Sequence, residues 1–262
     1  MTRMTRIYAD NKCIGTQYII AFCLLLFSLA CTEPLVRQQV ETFIQEDDET
    51  PPLVVIVEPE EKSPTVALLD SLGFVDIQQL EPSILVDLKY ATDDNFMEKA
   101  VYADLRRAYL HPDAAAKLVK AQHLLQEQYP DFSLLVYDAA RPLHIQQLLW
   151  EAVKDTPLSR YVAHPETTGL HNYGMAVDVT IADSLQMPLD MGTPFDYFGK
   201  KAGINHEDAL LAQGLLTQQH INNRHLLRSI MRQAGFYAIE GEWWHFNACA
   251  LSVARERYLL IE

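Results

Sequence analysis

The chain has 262 residues, 49% of them apolar, which suffices for one substantial domain or two small ones with a sizeable core. A formal net charge of −14 repels a phosphate backbone and argues against nucleic acid as a partner. The four cysteines, Cys13, Cys23, Cys31 and Cys249, form no CxxC pair, which argues against a thiolate metal site.

The N-terminus opens with Arg3, Arg6 and Lys12, followed by an almost wholly apolar run from Ile14 to Ala30 and then Cys31. A basic start, an apolar stretch and small residues before a cleavage point have the order of a secretory signal peptide over residues 1–31. Ala30 directly before Cys31 resembles a bacterial lipoprotein signal, in which the cysteine carries the lipid anchor. Ser28 stands where that signal usually has an aliphatic residue. Ordinary cleavage and a retained anchor helix are the alternatives, the run being at the short limit for crossing a bilayer. All three predict an exported domain, and a lipidated Cys31 predicts attachment to a membrane, facing the periplasm or the cell exterior. Residues 32–65 are acidic and carry five prolines, and they supply about half of the net charge. They read as a tether that buries too little apolar surface to fold alone. Within it, Leu53–Val57 has the composition of an added edge strand.

The folded part is predicted from about Val66 to Glu262. His111-Pro112-Asp113 reads as a helix start with Asp113 as N-cap, and Leu118, Val119, Ala121, Leu124 and Leu125 form its apolar stripe up to Pro130. Phe132–Tyr137 is short, apolar and β-prone, so a strand is predicted there. Pro142–Lys154 reads as a helix with proline near its first position, and residues 155–170 as a polar loop. A second strand is predicted over Ala176–Ile181, with Ala176, Asp178 and Thr180 on one face. Asn222 or Asn223 is a candidate cap for a helix through Ala234, ended by Gly235. Phe236–Ile239 and Trp243–Phe246 read as β segments. Helices and strands mix without regular alternation, so the expected class is α+β: one domain with a mainly antiparallel sheet flanked by helices.

Two stretches do not read as ordinary structure: His171–Asp178 and Glu242–His245. Gly174 offers a turn that brings His171 back beside Asp178. A carboxylate inside an apolar strand is costly unless paired, hydrogen-bonded or metal-bound. His245, between Trp244 and Phe246, is in similar surroundings. One reading is structural, since a buried histidine is commonly a satisfied core residue. The other is a catalytic zinc ion held by His171, Asp178 and His245, with Glu242 free to take a proton from water.

These residues carry a resemblance. His171 to Asp178 has the form HxxGxAxD, and Glu242 to His245 reads EWWH. Together with Lys89-Tyr90-Ala91-Thr92, Asn95-Phe96, Asp138-Ala139-Ala140-Arg141-Pro142 and Leu227–Met231, they make the chain similar to the D-alanyl-D-alanine dipeptidases of the zinc D-Ala-D-Ala metallopeptidase family. The resemblance implies one Zn2+ on His171, Asp178 and His245, with Glu242 as general acid/base. It implies Arg141 as the cation that stabilises the oxyanion, Asp196 as the receiver of the substrate's amino terminus, and Tyr90 as a pocket residue. A structural ion pair with Asp138 is the alternative for Arg141, a turn or cap for Asp196, and a core position for Tyr90. Trp243 and Trp244 are expected to pack around the site. Gly169 departs from the family, which usually has a serine two residues before the first histidine ligand. The remaining histidines are not assigned to the metal, although His144, close to Arg141, is a candidate neighbour of the site.

The implied activity is hydrolysis of D-Ala-D-Ala or a related free dipeptide, with cell-wall fragments as one source of substrate. A D,D-carboxypeptidase acting on peptidoglycan stem peptides is the second reading. A non-enzymatic, zinc-stabilised cell-wall binding module is the third, disfavoured because mere metal binding needs neither Glu242 nor Arg141.

Overall fold

The computed structural model describes residues 62–262; the signal segment, Cys31, the strand expected at Leu53–Val57 and the tether up to residue 61 lie outside them. The chain begins with helix α1 (Pro64–Ser71), strand β1 (Val75–Asp76) and the short helix α2 (Ile77–Leu80). Then come β2 (Leu85–Val86), β3 (Tyr109–Leu110), helix α3 (Pro112–Gln128), β4 (Ser133–Asp138), helix α4 (Leu143–Val153) and β5 (Ala176–Ala182). Helices α5 (Glu207–Ala212) and α6 (Gln218–Ala234), strands β6 (Tyr237–Ala238) and β7 (His245–Asn247), and helix α7 (Leu251–Arg257) complete it. The described residues form one domain of the α+β class. Among the described residues no helix is long and apolar enough to cross a membrane.

The main sheet has the order β2-β4-β5-β7-β6; only β2 and β4 run parallel, and the other pairs are antiparallel. Its centre, β5, is buried at every residue, so both faces are covered. On α3, Ala114, Ala115, Leu118, Ala121 and Leu125 supply the buried stripe. The same helix ties to β4 through Gln122 Oε1, which accepts the Leu134 N–H at 2.7 Å. Helix α6 also packs on α3 and buries Leu227, Ile230 and Met231. Arg228 points the other way and forms a two-pronged ion pair with Glu207, at 2.9 and 2.6 Å. The Leu227–Met231 stretch is therefore structural.

Three helix starts differ from expectation. α1 starts at Pro64, inside the stretch expected to be tether, because Ser63 Oγ caps the Val66 N–H and Asp104 accepts the Thr65 N–H at 2.9 Å. α3 is capped by His111 rather than Asp113: the His111 imidazole accepts the Asp113 N–H, Pro112 takes the first turn, and Asp113 falls inside it. α6 starts at Gln218 rather than after Asn222 or Asn223, because Thr217, five residues before Asn222, caps the His220 N–H through Oγ1. Asn223 is instead used in tertiary contact, donating to the Asp190 carbonyl. The loop expected over 155–170 holds a 3-10 turn at Pro157–Tyr161.

Candidate metal centre and its cavity

Strand register assembles most of the site. Asp178 on β5 lies opposite Asp138 on β4 and opposite His245 on β7, so one row across three strands carries all three side chains. An irregularity in β4 between Val136 and Asp138 brings Asp138 into that row, as bulges do when they re-aim a side chain.

His171 arrives by a different route, on a 3-10 turn at Leu170–Tyr173. Gly174 ends this turn in the left-handed region at φ +59°. A Cβ there would lie 2.2 Å from the Phe74 ring and 2.9 Å from the His111 backbone nitrogen, so only glycine fits. The turn is pinned to its neighbours: the Arg141 N–H donates to the His171 carbonyl at 3.0 Å, and Asn172 donates to the Arg141 carbonyl at 2.9 Å.

The three ligand atoms converge. His171 Nε2 is 3.2 Å from His245 Nδ1 and 3.4 Å from Asp178 Oδ1, and His245 Nδ1 is 2.9 Å from the same Asp178 oxygen. The outward nitrogens are also committed. His171 Nδ1 lies 2.7 Å from the Ala139 carbonyl, and His245 Nε2 lies 2.8 Å from Asn247 Oδ1. Both acceptors require an N–H, which leaves the lone pairs of His171 Nε2 and His245 Nδ1 pointing at one spot, as in metal sites. Burial opposes charge on Asp178, but the His171 and His245 imidazoles outweigh it and hold the carboxyl well below its usual range. These three residues are able to hold a metal ion.

Around them is a cavity of about 600 Å³, lined by Arg141, Asp196, Tyr90, Glu242 and Trp244 as well as by the triad. Burial pushes the Glu242 carboxyl up to about 7; Asp178 and Asp196 push the same way, and His245 and Arg141 oppose them. Such a group exchanges protons readily near neutral pH. Burial likewise raises Asp196 to about 7 against the Phe96 N–H that it accepts.

Arg141 is buried and in an ion pair with Asp138, through Nε at 2.9 Å and Nη2 at 2.5 Å. The ion pair with Asp138 is therefore present, and Arg141 also lines the cavity. Tyr90 lines it too, 3% exposed yet donating its hydroxyl to Asp196 at 3.2 Å beneath the Arg141 guanidinium. Asp196 stands at φ +57°, a conformation that aspartate tolerates better than most residues.

Asn95 explains the stretch from Lys89 to Phe96. Its side-chain amide donates to the carbonyls of Lys89, Thr92 and Lys99, folding the segment so that the Phe96 N–H reaches Asp196 at 3.2 Å. Trp244 lines the cavity, while Trp243 donates to Thr193 Oγ1 behind it. His144 lines a separate, smaller cavity and is no neighbour of the triad. The backbone N–H of Gly169 is spent on Asn172 Oδ1 at 2.8 Å, and Ala163 packs against the place of a side chain there. Sequence reasoning missed Asn247, Gln146 and Tyr102, whose signal, a hydrogen bond to His245, Arg141 and Asp138 respectively, exists only in three dimensions.

Comparison with known proteins agrees with this architecture. The Peptidase_M15 family, described as D-ala-D-ala dipeptidase, matches residues 70–259. A D-alanyl-D-alanine dipeptidase of Escherichia coli (strain K12) is 35% identical over 178 residues, covering 68% of this chain and 86% of the relative. One from Enterococcus faecium is 28% identical over 193 residues, covering 67% of this chain and 91% of the relative. The chain belongs to the Peptidase_M15, or D-ala-D-ala dipeptidase, family and is a metallopeptidase.

Proposed function

We propose that this chain is a zinc dipeptidase that hydrolyses D-Ala-D-Ala or a related free dipeptide, with Glu242 as the base. One observation carries the reading: a metal triad, a carboxyl poised near neutral pH, a clamped arginine and a second carboxyl line one cavity. The donor set suits zinc, which favours two imidazoles and a carboxylate with a fourth position open. Ligand atoms 2.9–3.4 Å apart also match the edge of a tetrahedron around zinc, about 3.3 Å for bonds near 2.0 Å.

Zinc, when bound by His171, Asp178 and His245, would supply Lewis acidity and lower the pKa of a water toward about 7. Glu242 receives a proton on its carboxylate and returns it to the leaving amine. Arg141 offers a fixed cation where negative charge develops on the carbonyl oxygen, and being held in advance it need not reorganise. Asp196 faces the substrate's ammonium group, and the Tyr90 hydroxyl and Phe96 N–H hold its carboxylate in place.

The zinc-loaded protein is expected to cleave free dipeptides from a D,D, L,D and L,L panel, and to lose that activity to a chelator. No turnover on the whole panel would sink the reading. A strong preference for an N-acylated tripeptide would favour the carboxypeptidase instead.

Asp196 gives a pH prediction. Its carboxyl, raised to about 7, is neutral below that pH and cannot pair with an ammonium group. KM for a free dipeptide should therefore rise as pH falls below about 7. Asp196→Asn should raise KM by about 30-fold or more, the cost of unpairing a desolvated charge being roughly 2–5 kcal/mol, and should flatten that pH dependence. An unchanged KM would remove the ammonium role.

We also propose that the protein is exported and anchored through a lipid on Cys31; support comes from the order of the N-terminal sequence alone. In a bacterial host, Cys31→Ser should move the protein from the membrane to the soluble fraction and abolish labelling with palmitate. Unaltered partition and labelling would exclude it.

A further inference from the structure

Gln146 lines the cavity, yet the dipeptidase reading gives it no task. It stands on α4 and is 1% exposed. Both ends of its side-chain amide are engaged: Oε1 accepts from Arg141 Nη1 at 2.9 Å, and Nε2 donates to the Ala163 carbonyl at 2.8 Å. The amide has only one orientation that serves both, because a guanidinium only donates and a carbonyl only accepts.

On its other side Arg141 is held by Asp138, which accepts from Nε and Nη2 on a single oxygen, Oδ2. The remaining oxygen, Oδ1, accepts the Tyr102 hydroxyl at 2.6 Å. Asp138 and Gln146 thus grip the guanidinium from opposite edges and leave one N–H on Nη1 and one on Nη2 uncommitted. Asp138 alone would leave Arg141 hinged about one carboxylate oxygen. Gln146 removes that freedom. It also ties the arginine to the wall Arg160–Ala163, which lines the same cavity and packs Ala163 against Gly169.

We propose that Gln146 is a positioning residue for the reaction: it orients the Arg141 guanidinium toward the reacting carbonyl and sets the Arg160–Ala163 wall against it. This rests on the proposed role of Arg141. An oxyanion donor that is present but misaligned loses part of the 10²–10³-fold that its removal costs. Residues acting as a unit are also non-additive.

The test is a double-mutant cycle in zinc-loaded protein with a free dipeptide, comparing wild type, Gln146→Met, Arg141→Ala and the double variant. Methionine has similar length and cannot replace either hydrogen bond. The expected result is a fall in kcat of about 10- to 100-fold for Gln146→Met, KM moving less, and bound zinc equal to wild type. In the Arg141→Ala background the same change should cost less than about threefold. Gln146→Ala serves as the second variant if the methionine protein does not fold. Wild-type kcat in either variant, or the same loss in both backgrounds, overturns the proposal while leaving the dipeptidase reading intact. Full activity of Arg141→Ala, or no turnover by wild type, overturns the reading of the site and this proposal with it.

Discussion

Glu242→Gln is expected to lower kcat by roughly 10²- to 10⁴-fold, the usual contribution of a positioned proton-transfer group, with one equivalent of zinc still bound. Glutamine keeps the shape and hydrogen-bonding atoms of the side chain but accepts no proton at neutral pH. Glu242 is outside the converging triad, so metal content should not change. It suits the task because burial raises its carboxyl to about 7, making it a stronger base than an exposed glutamate. The loss should appear in kcat more than in KM, since proton transfer occurs on the way to the transition state rather than on binding. Metal analysis with steady-state kinetics checks this. A variant that keeps wild-type kcat would show that another group moves the proton.

Asp178→Ala should lose both zinc and turnover. The carboxylate is the shared neighbour of both imidazoles, 2.9 Å from His245 and 3.4 Å from His171, and it is the one triad member that carries negative charge. Without it the two histidines are left beside the fixed positive charge of Arg141, which lies 3.9 Å from Asp178 and repels a cation. The effect is also a stability effect. A ligand that binds only the folded state adds about 4 kcal/mol at a thousand times its Kd, and a domain of this size gains about 2–4 °C in Tm per kcal/mol. Saturating zinc should therefore raise the wild-type Tm by roughly 8–16 °C and the variant's by almost nothing. Thermal melts at a series of zinc concentrations, with metal analysis of the dialysed proteins, measure both. If Asp178→Ala retained a full equivalent of zinc, the ligand set would be wrong.

The fold was partly legible in the residues. The apolar stripe of α3, the strand at Ala176–Ala182 and Gly235 at the end of α6 follow from local periodicity and from the left-handed turn that glycine permits. Helix starts were less legible. His111 and Thr217 do the capping, while Asp113, Asn222 and Asn223, better caps by type, lie inside their helices. Several residues near one another were able to cap, and packing of the whole helix decided which of them did.

Sequence by itself determined the chemistry on offer here: two histidines and an aspartate in apolar surroundings, a glutamate three residues before the second histidine, and Gly174 offering a turn between His171 and Asp178. It also carried the resemblance to the family whose match spans residues 70–259. Tertiary structure alone decided how they meet. Asp138, Asp178 and His245 are far apart in the chain and become one row only because β4, β5 and β7 pair in that register. Only the folded chain joins Tyr102, Asp138, Arg141, Gln146 and Ala163 into one hydrogen-bonded line. The physical reason is that side-chain identity is local, whereas hydrogen-bond partners and burial are set by strand register and by packing between segments distant in sequence.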